Sequence, residues 1–240
     1  WPRAVRGQAL ARIARRNNGG AMVQAIQRAT RPMRLPARAG LLLGAVGLVW
    51  LNLPSGPWPW LMVVLLAPFA LSLRGVGPWA GLALGWLGGS LFWAVSAWWT
   101  FNAFRDMLGW PVAGAAAGTA AFCLFQSLPY ALFGLACGFM NRRGRPPGPL
   151  FCASLLTLLV FLRPPVCPGS MALGLYAWPP AIQVADLGGV HLVLFIVLLA
   201  NWLAAEAVAR WRRPRRTALP LLVLAGLAAA VFSYGQWRLD

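Results

Sequence analysis

The stretch from Val190 to Arg216, VHLVLFIVLLANWLAAEAVARWRRPRR, decides the class of this protein. It begins with an apolar run that continues to Val208, and it ends with five Arg among the seven residues from Arg210 onward. An apolar run of roughly 20 residues is long enough to cross a bilayer as a helix. Arg residues directly beyond such a run are typical of its cytoplasmic end.

The same alternation of apolar runs and basic connections extends over most of the chain. Of the 240 residues, 60% are hydrophobic, against roughly 45–50% in soluble domains. Seven runs are apolar: Gly40 to Leu53, Trp58 to Leu73, Trp79 to Phe101, Trp110 to Met140, Leu150 to Leu162, Val190 to Val208 and Ala218 to Tyr234. We therefore predict an all-α integral membrane protein, a polytopic bundle of about seven transmembrane helices. The fourth run is long enough to tilt, or to bend near Pro129.

The distribution of Arg predicts the orientation. The chain has 21 Arg, no Lys and only four acidic residues. If the seven runs span the membrane, 18 Arg fall on one side and three on the other, Arg105, Arg163 and Arg238. The positive-inside rule then predicts a cytoplasmic N-terminus and a periplasmic C-terminus in a multi-pass protein of the bacterial inner membrane. Clusters placed between apolar runs do not indicate nucleic-acid binding.

Three regions follow from this topology. Residues 1–39 form a basic cytoplasmic tail, which could contain short amphipathic helices. Residues 40–234 form the transmembrane helical domain, and residues 235–240 begin an exported segment.

Ionisable residues within the membrane would be the first candidates for chemistry, and the runs contain almost none. Glu206 lies one helical turn before Arg210, which predicts an ion pair. Asp186 and His191 lie where a helix begins, so helix capping or loop structure is the favoured interpretation of both. No catalytic set, cofactor motif or metal-ligand spacing is present, and Cys167 has no evident base beside it.

The long connection from Arg163 to Gly189 is the best candidate for a site, because loops of this length are commonly functional. It contains Tyr176 and Trp178, and its side of the membrane also receives Trp98 and Trp99. We predict that these four aromatic residues and Arg163 bind phospholipid, the Arg through a phosphate group. The alternative is that Arg163 caps the fifth helix and the Trp residues anchor the third.

Four stretches, in this order, resemble the membrane-embedded amino-terminal part of the apolipoprotein N-acyltransferase family. They are GWLGGSLFWAVSAWWTF at Gly85 to Phe101, GWP at Gly109 to Pro111, PPAIQVADLGGVHLVLFIVLLAN at Pro179 to Asn201 and YGQWRLD at Tyr234 to Asp240. The resemblance implies seven helices that lead into an exported nitrilase-like domain. That domain would hold the catalytic Cys, Glu and Lys, so no catalytic residue carries over to this sequence.

The resemblance implies a membrane portion that holds phospholipid and a lipidated protein acceptor, for acyl transfer to an amine. The nitrilase-like domain would be a partner in cis or in trans. Pro-Gly-Ser-Met at Pro168 to Met171 stands where Gly-Phe-Pro-Trp is usual in the family, which leaves room for another acceptor. Two alternatives remain open: a catalytically silent membrane anchor or assembly subunit, and a small transporter. A transporter is disfavoured by the lack of carboxylates at mid-membrane depth.

The predicted topology is tested by a reporter fused after Asp240. The asymmetry of 18 Arg to three places this residue outside the cytoplasm, so alkaline phosphatase fused there is expected to be active. Green fluorescent protein fused at the same residue is the matched control and is expected to be dark. A fluorescent fusion with an inactive phosphatase would contradict both the orientation and the span count.

Overall fold

The computed structural model describes residues 33–51, 58–164 and 171–240. Arg34–Asp240 forms one compact unit. The described residues are 82% helical and include no strand, which confirms the predicted all-α class. The principal helices are α1 Leu35–Leu51, α2 Ala67–Ser72, α3 Pro78–Ser96, α4 Val112–Gln126, α5 Leu128–Arg142, α6 Pro149–Leu162, α7 Ala185–Arg210 and α8 Pro214–Leu239.

Four helical segments of the described chain are long and apolar enough to cross a membrane. They are α3, the 31-residue segment Val112–Arg142 formed by α4 and α5, α7 and α8. The shorter apolar segments are Leu35–Leu51, Pro59–Ser72 and Pro149–Leu162. All seven apolar runs therefore contain helix, whereas the number of spans and their orientation stay predictions.

The longest apolar segment is interrupted where the sequence predicts a bend. Helix α4 ends at Gln126 and α5 begins at Leu128, with Ser127 between them. Pro129 lies in the first turn of α5. Pro is accepted there because the first N–H groups of a helix have no intrahelical acceptor, whereas a Pro deeper in a helix would break a hydrogen bond.

Helix α7 also has a defined irregularity near its start. Gly188 and Gly189 have non-helical backbone angles, and Gly189 has φ of 65°. Residues other than Gly rarely adopt this left-handed conformation. The regular part of α7 therefore begins at Val190, the residue at which the sixth apolar run starts.

Helices α3 and α5 pack with their backbones in contact. A Cβ added at Gly81 would collide with the carbonyl group of Gly134, and one at Gly134 would collide with that of Gly81. One turn later in α3 and one turn earlier in α5, a Cβ at Gly85 would collide with the Tyr130 carbonyl group. A Cβ at Gly138 would lie 2.5 Å from the Pro78 Cα. This is the close approach expected of glycines spaced four residues apart in membrane helices.

Asn201 joins α7 to the segment before α2. Its side chain is fully buried, and its Oδ1 accepts a hydrogen bond of 2.6 Å from the Leu66 N–H. Its Nδ2 donates to the carbonyl oxygens of Met62 at 2.7 Å and Val197 at 2.8 Å. The amide thus satisfies a backbone N–H and a backbone carbonyl at an irregular turn, where the helical pattern leaves both groups without a partner.

One end of the bundle is held together by three arginines and one glutamate. Arg74 donates to Glu206 at 2.6 Å, and Arg210 forms the predicted i,i+4 ion pair with the same carboxylate. Arg38 is only 5% exposed and donates to the carbonyl oxygens of Ser72 and Arg74. We call this cluster, Arg38, Arg74, Glu206 and Arg210, the arginine end.

The predicted boundary between the tail and the transmembrane domain, at residue 39, falls inside helix α1. Arg38 falls within residues 1–39, assigned to the tail, yet α1 begins at Leu35 and includes it. The rest of the predicted tail, residues 1–32, lies outside the described residues, as do the amphipathic helices expected there.

Much of the apolar surface faces outward. Only 11% of the 18-residue apolar stretch of α8 is buried within the chain, against 61% of the corresponding stretch of α7. A helix with exposed apolar side chains on most sides is unfavourable in water and requires lipid or a protein partner.

The contact between α3 and α5 is tested by adding one methyl group. Gly81→Ala and Gly134→Ala are each expected to lower the free energy of unfolding by about 1–3 kcal/mol, because the new Cβ meets backbone that cannot move aside. The measurement is unfolding of the purified protein in detergent. Gly226→Ala in α8 is the matched control, since a Cβ there has nothing within 4 Å. Equal stability of the Gly134 and Gly226 variants would contradict this packing.

Candidate functional site

The five residues predicted to bind lipid all lie at the end of the bundle opposite the arginine end. Trp98 and Trp99 follow the last turn of α3, whose first turn lies near Arg74. Tyr176 and Trp178 precede α7, whose last turn carries Arg210. Arg163 follows the last turn of α6, which begins just after the Arg142 to Arg145 connection. We call this region the loop end.

Arg163 lies against an aromatic cluster at the loop end. It occupies the C-cap position of α6 in an extended conformation, and its guanidinium lies over the Trp93 ring at 5.3 Å from the centroid. Trp93 is 9% exposed and packs edge-on against Phe92 at 5.7 Å and Phe122 at 5.9 Å. A cation over an indole face is attracted by the ring quadrupole, so this packing fixes the position of the charge.

The predicted aromatic residues differ in exposure. Trp98 is 60% exposed, Trp99 is 47% exposed and Tyr176 is 55% exposed, whereas Trp178 is partly buried against the core. The aromatic ring that contacts Arg163 is that of Trp93, which the sequence does not single out. The role of the four predicted aromatic residues in binding lipid stays a prediction.

Asp186 and His191 lie at the start of α7 but contact different elements. Asp186 is in the first turn, where its charge is favourable, and its Oδ2 accepts a hydrogen bond of 2.7 Å from Arg238 at the end of α8. The N-cap residue is Val184, which has no side-chain capping bond. The His191 ring packs edge-on against Phe161 of α6, with centroids 5.0 Å apart. Each contact joins α7 to another helix, and the predicted role of both residues in helix capping or loop structure stays a prediction.

Sequence reasoning missed several buried polar groups in the bundle. Gln126 is fully buried, and neither polar atom of its side chain has a hydrogen-bond partner among the described residues. The same holds for Trp93 Nε1, under the guanidinium. Ser127 is also fully buried, but its hydroxyl donates to the Leu124 carbonyl oxygen at 2.7 Å. A Gln within a helical apolar run was the available signal, because an unsatisfied amide in an apolar interior is costly.

The described residues of the loop end include groups that could bind an amphiphile. The described cysteines are all buried: Cys123, Cys137 and Cys152 are 5%, 3% and 1% exposed. No group of three or more His, Cys, Asp or Glu within the described part of the chain could hold a metal ion. Cys167, the remaining thiol, lies outside the described residues. A fixed cation beside exposed aromatic rings suits an amphiphile with an anionic head.

Comparison with known protein families gives a match over most of the bundle. The family model described as apolipoprotein N-acyltransferase N-terminal domain matches residues 45–203. The matched region begins within α1 and ends within α7, so it contains Trp93, Gln126 and Arg163. No curated protein matches the chain.

The absence of covalent chemistry is testable on the 240-residue chain. Incubation with acyl phospholipid is expected to leave every cysteine unacylated, because buried thiols are poor nucleophiles and no activating base is evident beside Cys167. Hydroxylamine-sensitive acylation is measured by mass spectrometry, with Cys167→Ser as the control for that position. Acyl-Cys167 in the unaltered chain would show that the loop is itself an active site.

Proposed function

Because the chain belongs to the apolipoprotein N-acyltransferase N-terminal domain family, we propose that it holds the lipid substrates of an acyltransferase at the membrane surface. In this proposal the loop end holds phospholipid and a lipidated protein acceptor beneath an exported nitrilase-like domain. That domain, in cis or in trans, transfers the acyl group to an amine. The chain contributes positioning, which raises the effective concentration of two reactants that are both confined to the bilayer.

The observation that carries the proposal is the position of Arg163. Its guanidinium lies over the Trp93 ring, and in the proposed site its terminal N–H groups donate to a phosphate oxygen of the lipid. Phe161 and Leu162, directly before it in α6, are 61% and 65% exposed. A charged group with exposed apolar side chains beside it matches a phospholipid, whose anionic head is joined to apolar chains.

The proposed location is the bacterial inner membrane, with the loop end on the periplasmic face. The asymmetry of 18 Arg to three supports this orientation. Arg38, Arg74 and Arg210 also meet at one end of the bundle, as arginines on a common membrane side would. The loop end then faces the compartment to which the family's catalytic domain is exported.

A catalytically silent anchor or assembly subunit is the second candidate. It is favoured by the exposed surface of α8, since a partner helix could cover it. Only 11% of the apolar stretch of this helix is buried within the chain. A small transporter has less support, because Glu206 and Asp186 both form ion pairs at helix ends. Bound solute at mid-membrane depth would favour the transporter.

Replacing Arg163 by Ala tests the lipid site. The variant is expected to retain about tenfold less phospholipid per folded molecule, because a charged hydrogen bond to phosphate contributes about 1.5–3 kcal/mol. Lipid is counted by native mass spectrometry after gentle purification. Thermal unfolding is recorded on the same samples, and its midpoint is expected to fall only slightly.

Arg105→Ala is the matched control, since Arg105 is an exposed arginine of the same predicted membrane side. It is expected to leave the lipid count unchanged. Arg163→Lys separates charge from shape: it keeps the cation and loses the planar stacking on Trp93, so an intermediate lipid count is expected. Should Arg163→Ala lower the unfolding temperature sharply with the lipid count per folded molecule unaltered, Arg163 would be a structural cap.

A further inference from the structure

A cationic surface lies next to the arginine end and away from the loop end, where α7 turns into α8. Arg212, Arg213, Arg215 and Arg216 are all exposed there. Arg213, Pro214, Arg215 and Arg216 line an open concave surface. The Arg212 guanidinium lies over the ring of Trp211, at 5.2 Å from the centroid, and Trp211 is itself 68% exposed. We call these four arginines the α8 patch.

The chain has no acidic residue left to neutralise the α8 patch. Its four acids are Asp106, Asp186, Glu206 and Asp240. Glu206 is shared by Arg74 and Arg210, and Asp186 is paired with Arg238.

The two remaining acids lie far from the patch. Asp240 follows the last turn of α8, which at 26 residues extends about 39 Å from the patch. Asp106 follows α3 at the loop end. Residues 1–32 contain seven Arg and no acid, so they supply no counter-charge. No acid of these 240 residues is therefore placed to neutralise the patch, which leaves it open to an anionic ligand.

The surface next to the patch indicates which kind of anion this is. Arg215, Leu219 and Leu222 are spaced i, i+4 and i+7, so they lie on one stripe of α8. Leu219 is 64% exposed and Leu222 is 69% exposed. The stripe passes from positive charge to exposed hydrocarbon within about 10 Å. Nucleic acid or free phosphate would match only the charged part, whereas an anionic lipid matches both parts.

We propose that the α8 patch binds the phosphate headgroup of an anionic phospholipid whose acyl chains lie along the Leu219–Leu222 stripe. Trp211 sits at the level of the headgroup, where amphipathic rings are favoured. This site is separate from the Arg163 site in position, and it does not depend on the proposed acyltransferase role. Its lipid anchors the turn between α7 and α8 to one membrane face.

The test measures binding of phosphatidylglycerol to the purified full chain in detergent, by lipid adducts in native mass spectrometry and by thermal shift. Arg213→Gln/Arg215→Gln/Arg216→Gln removes three charges of the patch. Each arginine near an anionic surface contributes about a fivefold factor, so affinity is expected to fall on the order of a hundredfold. The single variant Arg215→Gln, which keeps three patch arginines, is expected to lose about fivefold.

The matched control is Arg142→Gln/Arg143→Gln/Arg145→Gln, which removes three exposed arginines from another connection of the same predicted side. It is expected to bind within threefold of the unaltered chain, as is the charge-preserving variant Arg213→Lys/Arg215→Lys/Arg216→Lys. Phosphatidylcholine and inorganic phosphate, used as probes at the same concentration, are expected to give no comparable shift.

Three results would overturn the proposal. Equal losses in the patch and control triple variants would show attraction by net charge alone. Equal stabilisation by inorganic phosphate or phosphatidylcholine would show that the anionic lipid is not the ligand. Tighter binding of a DNA duplex than of phosphatidylglycerol would assign the patch to nucleic acid. If the triple variant does not fold, the fivefold loss expected of Arg215→Gln decides the matter by itself.

Discussion

Helices α3 and α5 meet where Gly81 faces Gly134 and Gly85 faces the Tyr130 carbonyl group, and the rest of the bundle is arranged around this contact. Lipid chains are as apolar as Leu side chains, so the hydrophobic effect offers little drive for helix association within a membrane. Association then depends on close packing, which only backbones without an intervening Cβ achieve. The loop end is joined to this contact through α3, which carries Trp93 and Phe92, while Phe122 packs against Trp93 from α4.

Polar side chains also hold the bundle together, because they form hydrogen bonds with buried backbone groups that water does not reach. Asn201 satisfies backbone groups at Met62 and Leu66, and Arg38 satisfies carbonyl groups at Ser72 and Arg74. These bonds lie where the segment around α2 departs from regular helix and cannot satisfy its own backbone. The short helices of the bundle are therefore held by side chains from the long ones, so that a segment of six residues such as α2 remains in place.

Charge divides the molecule into two chemically different ends. At the arginine end Glu206 compensates two arginines, and beyond it the α8 patch has no acid within reach. At the loop end a single arginine lies over the ring of Trp93, whose buried Nε1 has no hydrogen-bond partner among the described residues. A crowded cationic surface attracts anionic lipid in general, whereas a single oriented guanidinium can position one phosphate. Positioning of that kind is what an acyltransferase requires of its membrane portion.

The amino-acid sequence by itself determined the class, the seven apolar helical runs, the break near Pro129, the Gly spacing and the Glu206–Arg210 pair. These features depend on neighbours within one or two helical turns, so periodicity and composition reveal them. The tertiary structure alone decided that Arg163 lies on Trp93, that Asp186 pairs with Arg238 and that Arg38 is buried within α1. Each of these contacts joins residues 34 or more positions apart, and no local pattern encodes which helix faces which. Which helices face each other depends on how closely their backbones can approach, and this contact forms only when the helices pack together.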